Sequence, residues 1–205
     1  MQYQKDIVRQ KILDAALEEF DRHGYDGAQI RRIAQKAGVA TGNIYRYFRN
    51  KEDIFETIVQ SVYVYISRII MDLYKDSWGT AEIRTVVRGV AGSTMDIYRR
   101  FGRELMVIAD KSKGSRYEHF TRTLAELVSR RLHAELAEHE GAAAGNGFSR
   151  DVLIHIIASG FVEGLFTILR TCRDPALIEH QFNRLLFYFF DDIRARLHPP
   201  AEAPP

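Results

Sequence analysis

The chain has one cysteine, Cys172, so no internal disulfide can staple it, and beside an apolar run that thiol reads as structural, in a reducing compartment. No cysteine or histidine spacing matches a metal site: His133 and His139 miss the i, i+4 separation of a helical ligand pair, so neither metal nor cofactor is expected. Charge of one sign is not in excess either. With 29 basic and 27 acidic residues, the balance argues nucleic-acid binding only if a local cluster exists. The N-terminal MQYQKDIVRQK has no apolar core of a secretory signal, so the expected location is cytoplasmic. The longest apolar run, Val152 to Leu169, is interrupted by His155 and Glu163 and reads as a buried helix, not a membrane span. Ser/His/Asp, metal-ligand and glycine-rich phosphate constellations are all missing, which counts against an enzyme. What remains is 205 residues, 46% hydrophobic, enough for one large domain or a small one joined to a larger one.

The local cluster lies between Ile30 and Lys51. Ile33, Ala34 and Ala37 form the inner side of a short helix. Gly38 suits its end because that position takes positive φ without a Cβ penalty. A second short segment follows, carrying Ile44, Tyr45 and Phe48, with Val39 and Ile44 as the plug between the two helices: a helix, a tight turn and a helix. Thr41, Asn43, Arg46 and Tyr47 face outward from the second segment, which could enter a DNA major groove. Arg31, Arg32, Lys36, Arg46, Arg49 and Lys51 surround it, with only Asp26 and Glu52 close by. Arg31, Arg32 and Arg49 are either phosphate contacts or a solvated face. Phe48 reads as core. Tyr45 is more open, since a phenol can pack its ring and still reach a phosphate. Thr41 could cap the second helix as well as touch DNA.

Around this stretch the pattern is helical throughout. Asp6 to His23 carries Ile7, Ile12, Leu13, Ala16, Leu17 and Phe20 on one face, and Gly24 ends it. Neither Ala28 nor Gln29 is a good N-cap for the next helix. Asn50 caps a helix with Asp53 at its third position; Lys51, a cation in that first turn, is either solvated or meets an anion such as phosphate. This helix runs through Ile54, Phe55, Ile58, Val62, Ile66, Ile69 and Leu73. Trp78-Gly79-Thr80 breaks the pattern, and Ile83 to Phe101 follows with a bend expected at Gly89 and Gly92. Gly102 then sets off Glu104 to Ala109, Lys111 to Ser115 is a polar connector, and Phe120, Leu124, Leu127, Val128, Leu132 and Leu136 mark the next helix. Gly141 to Gly147 is a loop. Asp151 to Cys172 and Pro175 to Leu197 are apolar over more than one core stripe, so each needs a further partner.

Gly24-Tyr25, Ile33-Ala34, Ala37-Gly38-Val39, Gly42-Asn43-Ile44-Tyr45, Tyr47-Phe48 and Asn50-Lys51-Glu52 together resemble the N-terminal signature of the tetracycline-repressor (TetR) family. That resemblance implies an all-α homodimer of about nine helices: a helix-turn-helix DNA-binding head over residues 1–50, an effector-binding and dimerisation lobe over 51–198, and a flexible tail over 199–205. It places Thr41, Gly42, Asn43 and Tyr47 near bases or phosphates and Tyr45 and Lys51 on the DNA backbone. The threonine usual in the family near Ala28 and Gln29 is absent.

The resemblance also implies an effector cavity. Trp78, Met95, Tyr98, Phe101, Met106, Tyr117 and Phe166, with His155 or Glu163, are its candidates, though each reads as core more readily than as lining; a small apolar or aromatic effector is favoured. Ile157, Gly160, Phe161, Gly164, Leu186, Phe189 and Phe190 are the expected dimer interface, the small residues permitting close approach. The expected function is a sequence-specific regulator of operator DNA, a repressor released by its effector. The alternatives are a helical enzyme with a basic surface, or an activator or effector-free regulator with the same head.

Overall fold

The computed structural model describes residues 2–73, 83–137, 147–191 and 193. They form eight helices and no strand: α1 Gln2–Gly27, α2 Ile30–Ala37, α3 Thr41–Ile44, α4 Lys51–Leu73, α5 Ile83–Asp110, α6 Phe120–Ala137, α7 Gly147–Thr171 and α8 Pro175–Phe190. The all-α expectation holds. The count is eight and not nine because the segments expected on either side of Gly102 are one helix, kinked at Phe101 (φ −136°, ψ 28°). No break occurs at Gly89 or Gly92, since a lone glycine weakens a helix by only about 1 kcal/mol and helical neighbours can carry it. The calls on Trp78 to Thr80, on Gly141 to Asn146 and on the tail lie outside the described residues.

The chain packs as two compact units: Met1–Ser67 with Ile97–Phe120, and Arg68–Asp96 with Thr121–Pro205. The first unit is built on the α1 stripe, where Ile12, Ala16 and Phe20 are buried together with Ile33, Ala34, Ile44, Phe48, Ile54, Phe55 and Val59. Phe55 meets Phe20 edge-on at 5.0 Å and Tyr25 at 5.1 Å between ring centroids, the aromatic geometry that adds to area burial. Gly24 breaks α1 with φ 67° and ψ 170°, as its position predicts. The backbone N–H of Tyr25 freed by that break donates to the Lys111 carbonyl at 2.7 Å. The 111–119 stretch is therefore more than a polar connector. Ser112 and Ser115 are buried in it, and Gly114 has φ 84°.

In the second unit α7 packs on α8. A Cβ on Gly164 would stand 2.8 Å from the Leu185 side chain and one on Gly160 3.3 Å from the Phe189 ring, so the two helices approach closely at both glycines. Phe161 lies 4.8 Å from Phe190 and 6.0 Å from Phe182. Asp174 caps α8, accepting from the Ala176 N–H at 3.0 Å, and Pro175 takes the first helical position, where its missing N–H costs nothing. By length and composition alone, α7 could cross a membrane. It buries Ile154, Ala158, Phe161, Val162, Phe166 and Leu169, the behaviour of a core helix.

Candidate nucleic-acid interface

The turn between α2 and α3 is set by backbone chemistry. Gly38 adopts φ 69°, ψ 32°, and the Val39 N–H returns to the Ala34 carbonyl at 3.0 Å, closing the helix end in the manner that a left-handed glycine permits. Ala40 is the N-cap of α3 and supplies no side-chain bond. Thr41 is therefore not the cap, and its exposed hydroxyl is left to solvent or a partner. α3 is one turn long, continued by turn bonds from Tyr47 N–H to the Ile44 carbonyl at 2.9 Å and Phe48 N–H to the same carbonyl at 3.0 Å.

Ile44 and Phe48 point inward and are buried. Thr41, Gly42, Asn43, Tyr45 and Arg46 are exposed and Tyr47 is half-buried. Tyr45, left open between ring packing and a phosphate contact, is 57% exposed; it belongs to the outer face because Ile44 alone fills the inward slot of so short a helix. Gly42 meets nothing within 4 Å where its Cβ would be, so packing does not demand a glycine there.

The basic cluster divides in two. Arg32 donates through Nε to Glu19 and through Nη2 to the Gly27 carbonyl at 2.6 Å. Lys36 sits 3.6 Å from Glu18 and 3.9 Å from Glu19. Lys51, expected on a phosphate or in solvent, donates its ammonium to the Tyr25 carbonyl at 2.7 Å, and to those of Asp26 and Ala28 at 3.4 Å. It also lies 4.4 Å from the centroid of the Tyr25 ring. The physical reason is the end of α1: its last carbonyls lack the i+4 partners of a continuing helix, and a cation answers them. Arg31, Arg46 and Arg49 remain outward, Arg49 with 84% of its side chain exposed.

The missing cap of α2 has a substitute. Glu19 is fully buried, and its Oε1 accepts from the Gln29 N–H at 3.3 Å as well as from Arg32. A carboxylate from α1 thus stands at the positive end of α2. Sequence reasoning passed over Glu19, although an acidic residue within the Ile12, Ala16, Phe20 stripe is a visible anomaly. At the start of α4, Asn50 accepts from the Asp53 N–H at 2.8 Å, the N-cap expected, and the third-position Asp53 accepts from the Arg49 N–H at 2.8 Å. The Arg49 backbone N–H, and then its guanidinium, hold the Asp53 carboxyl below its usual range. Burial, and then the neighbouring Glu52 carboxylate, push the Tyr25 phenol above its own.

Residues 12–58 match the family model for bacterial regulatory proteins of the tetR family. The N-terminal domain of the chain belongs to the TetR family. It is 26% identical over 196 residues to the HTH-type transcriptional repressor NicS of Pseudomonas putida, across 95% of this chain and 80% of that one. The crystal structure of a TetR-like transcriptional regulator from Rhodococcus sp. RHA1 superposes with a TM-score of 0.61 at 15% identity, across 88% of this chain and 93% of that one. That of the regulator FadR from Bacillus subtilis, in complex with stearoyl-CoA, gives 0.52 at 21%, across 86% and 96%. At such identity the two structures speak for the fold. The family model and the likeness to NicS make this chain a DNA-binding transcriptional regulator.

The effector candidates do not gather in one unit. Tyr98, Phe101, Met106 and Tyr117 belong to the first, Met95, His155 and Phe166 to the second, and Trp78 lies outside the described residues. Tyr117 is buried against Phe55 and Tyr63, its hydroxyl accepting from Arg116 at 2.9 Å. His155 and Glu163 are exposed, and Glu163 pairs with Arg170 at 2.8 Å; both sit on a wet helix face and not in an apolar lining. The expected dimer residues are also partnered within the chain. Gly160, Phe161, Gly164, Phe189 and Phe190 form the α7–α8 contact, with Leu186 buried beside them, and Ile157 is half-buried.

Proposed function

We propose that this chain is a repressor that binds operator DNA as a homodimer, through Thr41, Gly42, Asn43, Tyr45, Arg46 and Tyr47, with Arg31 on phosphates, and is released by a small apolar or aromatic effector. The observation that carries the reading is the outer face of α3: its exposed side chains are hydrogen-bonding or cationic groups, and none of them is needed to hold the fold. Arg32 and Lys51 act behind this face, holding the corner of α1 and α2. A two-fold assembly supports the reading because paired half-sites one DNA turn apart require a symmetric protein. Its face on this chain is the apolar surface left open on α7 and α8: Val152, Leu153, Ile156, Leu177, Phe187 and Tyr188, each at least 38% exposed. That a chain of the same fold holds stearoyl-CoA supports an apolar effector. No catalytic step is assigned, and a regulator of this kind works in the cytoplasm beside its DNA.

The test is fluorescence anisotropy on overlapping duplexes tiling the DNA that flanks the gene. One duplex should bind at least a hundredfold more tightly than a shuffled sequence, and Asn43→Ala or Tyr47→Ala should erode that ratio. Equal affinity for every duplex would overturn the reading.

A further inference from the structure

We propose that Arg9, which precedes the residues matched to the family, is a phosphate-gripping residue that extends the DNA interface onto the first turns of α1. This rests on the operator-binding reading above.

Arg9 follows the inner stripe of α1 one turn back from Ile12, at the place where that stripe leaves the core. Its guanidinium carbon lies 5.2 Å from the centroid of the Phe48 ring. Phe48 is buried to 3% exposure and closes the segment that carries the outward face of α3. Arg9 itself is exposed. A guanidinium over an aromatic ring can keep N–H groups free of that contact, and two of them suit a bidentate phosphate.

The neighbouring charges favour an anion. Arg49 adjoins Phe48, and Arg9 and Arg49 both lower the pKa of the same Asp53 carboxyl, so one carboxylate answers two guanidinium groups. The surplus positive charge stands beside the proposed base-reading face. Lys5, exposed and one turn further back, continues the same side of α1. The contact would be made with the sugar-phosphate backbone, so it adds affinity without reading sequence.

The experiment uses the duplex selected by tiling, with anisotropy titrations across a salt series for the full-length wild type and for Arg9→Met, Arg9→Gln, Arg9→Lys and Lys113→Met. Met keeps the stem over Phe48, Gln removes the charge with a polar head, and Lys113 is an exposed cation of the 111–119 stretch that serves as the control. Both Arg9→Met and Arg9→Gln should flatten the slope of log affinity against log salt by about 0.9 per protomer. Arg9→Lys should restore it, Lys113→Met should leave it unchanged, and preference over shuffled DNA should persist in all four. A wild type that binds no duplex sinks the operator reading itself. A wild type with a normal salt slope that Arg9→Met and Arg9→Gln both retain leaves that reading standing and overturns this one.

Discussion

Arg32 and Arg31 are adjacent, alike in charge and indistinguishable by composition, yet the structure gives them different surroundings. Arg32 pairs with Glu19, which has no exposure at all. Replacing Arg32 by Ala strands that carboxylate with a 3.3 Å bond from the Gln29 N–H and with His23 and Lys36 at 3.8 and 3.9 Å. Breaking a buried pair from the side that leaves a buried charge costs about 3–5 kcal/mol. The reverse change, Glu19→Gln, leaves an arginine whose side chain is 35% exposed and can be resolvated, and the amide oxygen can still accept from Gln29. Its cost should be nearer ~1–2 kcal/mol. For a chain of this length 1 kcal/mol moves the melting temperature by roughly 2–4 °C, so Arg32→Ala should fall about 10 °C and Glu19→Gln about 4 °C. Thermal unfolding by circular dichroism at one protein concentration reads both. Arg31→Gln should do the opposite: no change in melting and a flatter salt dependence of DNA binding. If Arg32→Ala melts like the wild type while its salt slope falls, Arg32 is a DNA contact and the division of the basic cluster is wrong.

Lys51→Met should remove the cation from the α1 carbonyls and cost about 1–3 kcal/mol, read by urea unfolding, with DNA affinity reduced but the salt slope kept. Gly114→Ala combines a φ of 84° with a Cβ only 1.9 Å from an Asp26 side-chain oxygen. Asp26 can swing away but the backbone cannot, so a loss of about 1–2 kcal/mol is expected in the same assay. Asp53 has a depressed folded pKa, so its contribution is present above its unfolded value, about 3.9, and is lost as pH falls through the lower folded one. Melting curves of Asp53→Asn should therefore lie below the wild type at pH 6 and converge with it in acid. Ile156→Glu with Tyr188→Glu should halve the mass measured by light scattering without lowering helix content. Phe161→Ala, inside the α7–α8 contact, should instead lower the melting temperature, by an amount equivalent to roughly 3–5 kcal/mol.

Local backbone chemistry was the part legible in the sequence. Gly24 and Gly38 mark real helix ends with positive φ, and Asn50 with Asp53 forms the cap that their spacing announces. These features are short-range, so residue type and separation suffice. The destination of a long side chain is not short-range. Lys51 reaches back 26 residues to Tyr25, and Arg32 reaches 13 to Glu19. Nothing in a helical period says whether a cation will find a carbonyl, a buried carboxylate or a phosphate. Tyr45 was left open between ring packing and a phosphate for a related reason: α3 is a single turn, too short for a periodic pattern to separate its inner from its outer side.

The apolar helices pose the same difficulty on a larger scale. Their width shows that α7 needs more than one neighbour, but not which residues meet which. Glycines suit close contact whether the other helix belongs to the same chain or to a second copy. Gly160 and Gly164 already meet Phe189 and Leu185 of the same protomer, so the contact within the chain accounts for them without a second copy. The residues of the proposed dimer face are larger and branched or aromatic, Ile156 and Tyr188 foremost at 57% and 74% exposure. An interface built from such side chains gains from burial of protruding groups more than from close backbone approach. A charge at either position should therefore split the dimer, while enlarging Gly160 should first disturb the fold of each protomer.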